Sequence, residues 1–193
     1  MKLLNKIHFL DRELCPWWFA YTFDNPGRRI LHKPEKVLGA YVREGMTVVD
    51  IGCGMGHFSI GMAKLVGASG RVIAVDLQQK MLDRVKRRMV RGGVDDRISL
   101  RLCKVGDIGV SEQADFVLTF WMVHEVTDAK LMFGQIHAIV KDGGRWMLAE
   151  PKLHLSLERF EKILSEAVAS GFSVVARPAV TMSYAAVLDK SRK

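Results

Sequence analysis

Cysteine is scarce in this chain: 193 residues hold only Cys15, Cys53 and Cys103, with no C-x-x-C spacing. An odd, scattered set indicates neither a disulfide scaffold nor a zinc site. Long apolar stretches are also missing. The longest hydrophobic runs are strand-sized, too short to cross a bilayer. The first ten residues are interrupted by Lys6 and His8 and followed by Asp11, Arg12 and Glu13. That does not read as a signal peptide. The expectation is a cytoplasmic protein in a reducing setting, with no membrane partner. Repeats, low-complexity tracts and linkers are absent as well.

Negative charge is in the minority, with 29 Lys and Arg against 21 Asp and Glu, a net charge of +8. This raises a nucleic-acid reading. Lys80, Arg84, Lys86, Arg87, Arg88 and Arg91 fall on one expected helix. No aromatic residue is interleaved with them to stack bases. A solvated helix face is the simpler reading, and nucleic acid stays as the alternative partner.

What the chain does have is a glycine turn between two apolar runs. Residues 48–56 read Val-Val-Asp-Ile-Gly-Cys-Gly-Met-Gly, and Val72-Ile73-Ala74-Val75-Asp76 follows 20 residues after the last glycine. The first run, 46–51, reads as a buried strand. Glycines at 52, 54 and 56 allow positive φ and close approach of a ligand to the backbone. The helix expected over 57–66 points its N-terminus, with its free N–H groups, at the same place. An acid closing the second strand of such a unit is placed to accept hydrogen bonds from ribose hydroxyls. The reading is a pocket for an adenosine-type cofactor.

Spacing selects among such cofactors. A dinucleotide fingerprint G-x-G-x-x-G would put its third glycine at 57, where His57 stands. Asp50, two residues before the first glycine, would repel a pyrophosphate but suits a ligand carrying an ammonium group. On Asp50-Ile51-Gly52-Cys53-Gly54-Met55-Gly56 and Asp76, the sequence resembles the class I S-adenosylmethionine-dependent methyltransferases. The nearest subgroup in this likeness is the small-molecule enzymes related to ubiquinone/menaquinone-biosynthesis and arsenite methyltransferases.

The order of elements extends the resemblance over about residues 35–189. Strands are expected at 46–51, 71–75, 98–103, 115–120, 145–150, 172–176 and 183–188, and helices at 57–66, 78–91, 129–140 and 157–170. Ser156 is a candidate N-cap for the last helix. Such alternation is the mark of an α/β fold. The resemblance implies a Rossmann-like class I methyltransferase fold: a seven-stranded, mostly parallel sheet, a C-terminal antiparallel hairpin, and helices on both faces. Length favours one domain, here 35–193, preceded by a segment over 1–34 that is a candidate lid.

The resemblance also implies site residues. Asp50 and the backbone of Gly52, Cys53, Gly54 and Gly56 would hold the methionine part, and Asp76 the ribose. Leu77 and Met81 would lie near the adenine, or simply in the core. Where the family often has an adenine-binding acid, this chain has Lys104, so the backbone at Lys104 or Val105 is assigned that contact. Trp121 would wall the transfer site, since a sulfonium attracts aromatic faces. His124 and Glu125 are the candidate catalytic residues, histidine being the natural base at neutral pH. A backbone-bonded helix start is the competing role for His124. Tyr21, Arg28, His124 and Glu150 are the candidate substrate contacts. The implied reaction moves a methyl group from S-adenosylmethionine to a small molecule, leaving S-adenosylhomocysteine. RNA or protein methylation and a non-catalytic binding module are the alternatives. No Asn/Asp-Pro-Pro-Tyr/Phe sequence follows the fourth strand, which argues against methylation of an amino group on adenine, cytosine or glutamine.

Overall fold

The apolar runs become the middle of one sheet. A computed structural model describes residues 26–190. Within them lie seven strands: β1 Thr47–Ile51, β2 Arg71–Asp76, β3 Ile98–Leu102, β4 Ala114–Phe120, β5 Val140–Pro151, β6 Phe172–Ala176 and β7 Ser183–Lys190. Their order across the sheet is β3-β2-β1-β4-β5-β7-β6. Strands β3 to β5 along that order run parallel, and β7 pairs antiparallel with both β5 and β6. The strand order reverses between β1 and β4. In open α/β sheets that is where ligands bind, beyond the carboxyl ends of the strands.

Four longer helices cover the two faces: α3 His57–Leu65, α4 Gln79–Gly92, α5 Ala129–Ile139 and α6 Leu157–Ala169. Two short ones, α1 Pro26–Leu31 and α2 Pro34–Leu38, precede β1 and were not expected from periodicity. Each is barely more than a turn, too short to show a repeat. One apolar cluster packs α2, α3 and α4 on one face, through Leu38, Phe58, Met62, Leu82 and Val85. The other packs α5 and α6, through Phe133, Ile136, Phe160 and Leu164. Strands buried on both faces read as continuous apolar runs; β1 and β2 do so.

Local chemistry sets the ends. Ser156 caps α6, its hydroxyl accepting from the Arg159 N–H at 3.2 Å. Asp128 caps α5 through the Leu131 N–H at 2.9 Å. Gly93 ends α4 in the left-handed conformation. β5 is longer than the expected 145–150. Val140 pairs with Ala114, residues 141–144 bulge out, and pairing resumes at Phe116–Arg145. The glycine-bearing turn is thus an irregularity inside the strand, not a gap before it. No helix among the described residues is long and apolar enough to cross a membrane.

Candidate active site

The turn after β1 shows why glycine is needed. Gly52, Gly54 and Gly56 have φ of 70°, 52° and 81°. A Cβ on Gly52 would lie 2.8 Å from Met122 Cγ, and one on Gly56 would lie 3.0 Å from Val85. A Cβ on Gly54 would meet nothing within 4 Å. Gly54 therefore borders open space at the sheet's carboxyl edge, a cradle that a ligand can enter.

The amides of this turn are already committed. Gly52 and Cys53 N–H both donate to the Val75 carbonyl at 2.9 Å, and Gly56 N–H donates to the Cys53 carbonyl at 2.9 Å. Gly54 N–H donates to Asp76 Oδ2 at 2.9 Å. Four amides of the turn are thus taken up within the fold, at the glycine and cysteine positions. Asp50, 2% exposed, accepts from the Ser59 hydroxyl at 2.5 Å, which ties the end of β1 to α3. Burial first, then the charges of Asp50 and Asp76, push the Cys53 thiol well above its usual range. Cys53 packs with Phe58 and Phe120 in the core, so its side chain serves packing. Arg88 donates to the Met55 carbonyl at 2.8 Å. That member of the basic helix braces the glycine turn, in contrast to the wholly solvated face expected of it.

Asp76 closes β2 at the edge of the cradle, 7% exposed. Its other oxygen accepts from Gln78 N–H at 2.9 Å. A carboxylate offers about four lone-pair positions, so acceptor capacity remains for ribose hydroxyls. Burial raises its pKa to about 6 against the pull of the Gln78 and Gly54 N–H bonds, with the Glu125 charge adding to the rise. Leu77 beside Asp76 is half-buried, and Met81 is buried at the start of α4. Beyond β3, Lys104 and Asp107 exchange backbone hydrogen bonds of 3.1 and 3.0 Å across a turn. The Lys104 N–H is thus occupied, which leaves Val105 as the more accessible of the two assigned to adenine; the Val105 side chain is exposed.

After β4 the chain turns sharply. Trp121 takes φ of 60°, a left-handed conformation that costs an aromatic residue energy and often marks a functional site. Its N–H donates to the Ala149 carbonyl at 2.8 Å and its indole Nε1 to the Ser183 hydroxyl at 2.9 Å. The next residues wrap around one carboxylate. Glu150 Oε1 accepts from Met122 N–H at 3.3 Å and Val123 N–H at 2.9 Å. Glu150 Oε2 accepts from His124 Nδ1. Glu150 is 0% exposed. Glu150, expected as a substrate contact, thus has no exposed surface, and its three donors tie it to His124 and to the turn after β4.

His124 sits in a 3₁₀ turn, Val123–Glu125. Its Nε2 lies 3.8 Å from Glu125 Oε1. Burial pulls its pKa down, but the hydrogen bond and charge of Glu150, joined by Glu125, outweigh burial, so the net shift is upward. His124 is neither a plain helix-start residue nor bonded to the backbone by its ring: its partly exposed imidazole is held by a buried carboxylate.

The segment before β1 reaches this edge through His32. Its Nε2 donates to the Thr181 carbonyl at 2.7 Å, and its carbonyl accepts from His57 Nε2 at 2.7 Å. The His32 ring meets Phe120 and Trp121 edge-on at 5.2 and 5.1 Å. Tyr21 and the Arg28 side chain lie outside the described residues.

Residues 42–182 match the sequence pattern described as a methyltransferase domain. The chain belongs to the methyltransferase domain family. The methyltransferase domain is 29% identical over 117 residues to a demethylmenaquinone methyltransferase of Symbiobacterium thermophilum, covering 60% of this chain and 47% of that protein. It is 31% identical over 110 residues to the ubiquinone/menaquinone biosynthesis C-methyltransferase UbiE of Cellvibrio japonicus, covering 56% of this chain and 44% of that protein. The chain thus spans about half the length of the curated relatives it matches. Among solved structures, a SAM-dependent methyltransferase from Aquifex aeolicus superposes with a TM-score of 0.81 at 20% identity, over 91% of this chain and 98% of that one.

Several site features of the methyltransferase domain escape a reading of residue types. The Ser59–Asp50, Arg88–Met55, Trp121–Ser183 and His32–Thr181 contacts join positions far apart in sequence. One signal for the positioning role was present: Glu150 follows four apolar residues, Trp146 to Ala149, at the end of a central strand.

Proposed function

We propose that this chain transfers a methyl group from S-adenosylmethionine to a small-molecule acceptor in the cytoplasm, with His124 as general base. The observation that carries the reading is the His124–Glu150 pair standing at the sheet edge that also bears Asp76 and the glycine turn. The cradle beside Gly54 fits the cofactor: its neighbours offer the Asp76 carboxylate for ribose, and a second carboxylate, Asp50, disfavours a pyrophosphate. Asp76 would hold the ribose, Asp50 and the turn the methionine part, and Leu77, Met81 and Val105 the adenine surroundings. When bound, S-adenosylmethionine supplies a methyl on a sulfonium, whose sulfur keeps the electron pair of the broken bond.

Glu150 fixes the work of His124. Because Nδ1 donates to the carboxylate, Nε2 of the neutral ring is left as the acceptor. Nε2 takes the proton that the acceptor loses as it gains the methyl group. The imidazolium so formed is stabilised by Glu150 on one side and Glu125 on the other. Alignment in a closed site supplies much of the rest of the rate. The names of the curated relatives support a quinone-type small molecule as acceptor. RNA has less support, since Arg88 of the basic helix is engaged with the glycine turn.

A screen of phenolic and hydroxylated small molecules, read by mass gain, tests this reading. His124→Ala should lower kcat by about 10²–10⁴ with cofactor affinity unchanged. Unchanged turnover in His124→Ala would remove the histidine from the chemistry.

A further inference from the structure

A second feature lies beside the His124–Glu150 pair. At the carboxyl end of β5 and the start of β7 is a cavity of about 390 Å³, lined in part by Lys152, Leu157, Phe160, Met182 and Tyr184. That is within the size range of small-molecule sites. Tyr184 is paired with Glu150 across β5 and β7. Directly paired residues project from the same face of a sheet, roughly 5 Å apart. The cavity wall is therefore one residue from the carboxylate that holds His124.

Its chemistry is uneven in an informative way. The Tyr184 ring packs on Phe160 at 5.5 Å between centroids, and Leu157 and Met182 add exposed apolar surface. Lys152 Nζ stands 5.2 Å from the Tyr184 ring centroid. Among the described residues, no carboxylate lies within 4 Å of it to pair with it. The other cation of the lining, Arg177, is taken: both its terminal nitrogens bind Glu161, at 2.5 and 2.8 Å. Arg159, in the first turn of α6, adds positive charge felt at His124. The cavity thus presents one uncommitted ammonium on an aromatic platform, with apolar walls, and its Tyr184 is the strand partner of the carboxylate that holds the base.

We propose that this cavity seats the methyl acceptor and that the acceptor is a planar ring carrying an anionic group, carboxylate or phosphate. The anion meets Lys152, and the ring lies against Tyr184, Leu157 and Met182. A compact ammonium suits such an anion as a point charge. The inference rests on the reading of His124 as the base at this edge.

The test uses the full chain saturated with S-adenosylhomocysteine and titrated calorimetrically with benzoate, 4-hydroxybenzoate, phenyl phosphate and methyl benzoate. At least one anion should bind at least about tenfold tighter than the neutral ester, equivalent to about 1.4 kcal/mol. Tighter binding of a carboxylate or of the phosphate identifies which anion the site takes. Lys152→Gln should erase the preference and Lys152→Arg retain most of it, with S-adenosylhomocysteine affinity equal in all three proteins. Lys152 is exposed, so neither variant threatens folding. Equal binding of acids and ester, no binding of any anion, or a preference that survives Lys152→Gln overturns the proposal. A protein that fails to bind S-adenosylhomocysteine at the outset counts instead against the methyl-transfer reading.

Discussion

The Nδ1 of His124 donates to a carboxylate, Glu150, that has no contact with solvent. Two backbone N–H groups from the same turn bind the other oxygen of that carboxylate. One buried acid thus sets both the path of the chain after β4 and the tautomer of the imidazole.

Glu150→Gln separates these two roles. The amide oxygen can still accept from Met122 and Val123, so the turn should persist. The negative charge is lost, and burial, which pulls the His124 pKa down, is no longer outweighed. In the parent, activity needs the neutral imidazole, so the rate should rise with pH to a midpoint above the ordinary histidine value. In Glu150→Gln that midpoint should move to lower pH. The kcat on its plateau should fall at least about tenfold, short of the roughly 10²–10⁴ expected for loss of the base itself. A pH–rate profile of both proteins checks this. An unmoved midpoint would deny the coupling.

Two glycines in one turn should behave differently. In Gly52→Ala the new Cβ meets Met122 at 2.8 Å and the φ of 70° is unfavourable, so stability should drop by roughly 1–3 kcal/mol or more. In Gly54→Ala nothing within 4 Å obstructs the methyl. Its stability loss should be the smaller, limited to backbone strain, while S-adenosylhomocysteine binding suffers because the methyl occupies the cradle. Thermal melts with and without S-adenosylhomocysteine distinguish the two. A larger melting loss in Gly54→Ala would contradict the geometry.

Asp76 should make cofactor affinity depend on pH. Its folded pKa is about 6, raised above the ordinary 3.8, with burial the main cause. A protonated carboxyl accepts less strongly from ribose hydroxyls, so affinity should fall as pH drops through about 6. The sign for folding without ligand is opposite. A raised carboxyl pKa contributes stability that is fully present below 3.8 and lost as pH rises through about 6. Calorimetry for binding and denaturant melts for folding, each between pH 5 and pH 8 and compared with Asp76→Asn, should move in opposite directions. A flat binding curve would place the ribose elsewhere.

The sheet was legible because its central strands are buried on both faces and therefore read as unbroken apolar runs, bounded by glycine turns and acids. Strands β6 and β7 were legible as two short apolar stretches after the last helix, while their pairing as a hairpin was implied by the family resemblance. The bulge at residues 141–144 was not legible, because pairing of Val140 with Ala114 is a long-range contact. In the site, Asp76 and the glycine turn were evident from local spacing. Glu150 was found, but its bonds to His124, Met122 and Val123 were not legible, since sequence places an acid at a strand end without saying which way its oxygens are used. Arg88 was hidden among five other cations on one helix, and nothing in its sequence neighbourhood marks it as the partner of the Met55 carbonyl, 33 residues away. The role of His32 needs the fold, because its partner Thr181 is 149 residues away.

The most direct measurement of the central claim is a calorimetric titration of the chain with S-adenosylhomocysteine, repeated with Asp76→Ala and with a nicotinamide dinucleotide. The account predicts saturable binding to the parent and a loss of roughly 1.5–3 kcal/mol in Asp76→Ala, the range for hydrogen bonds to a charged group. The dinucleotide should give no binding, because His57 stands where its fingerprint needs a third glycine and the carboxylates of Asp50 and Asp76 repel a pyrophosphate. Equal affinity in parent and Asp76→Ala, or binding of the dinucleotide in place of S-adenosylhomocysteine, would contradict it.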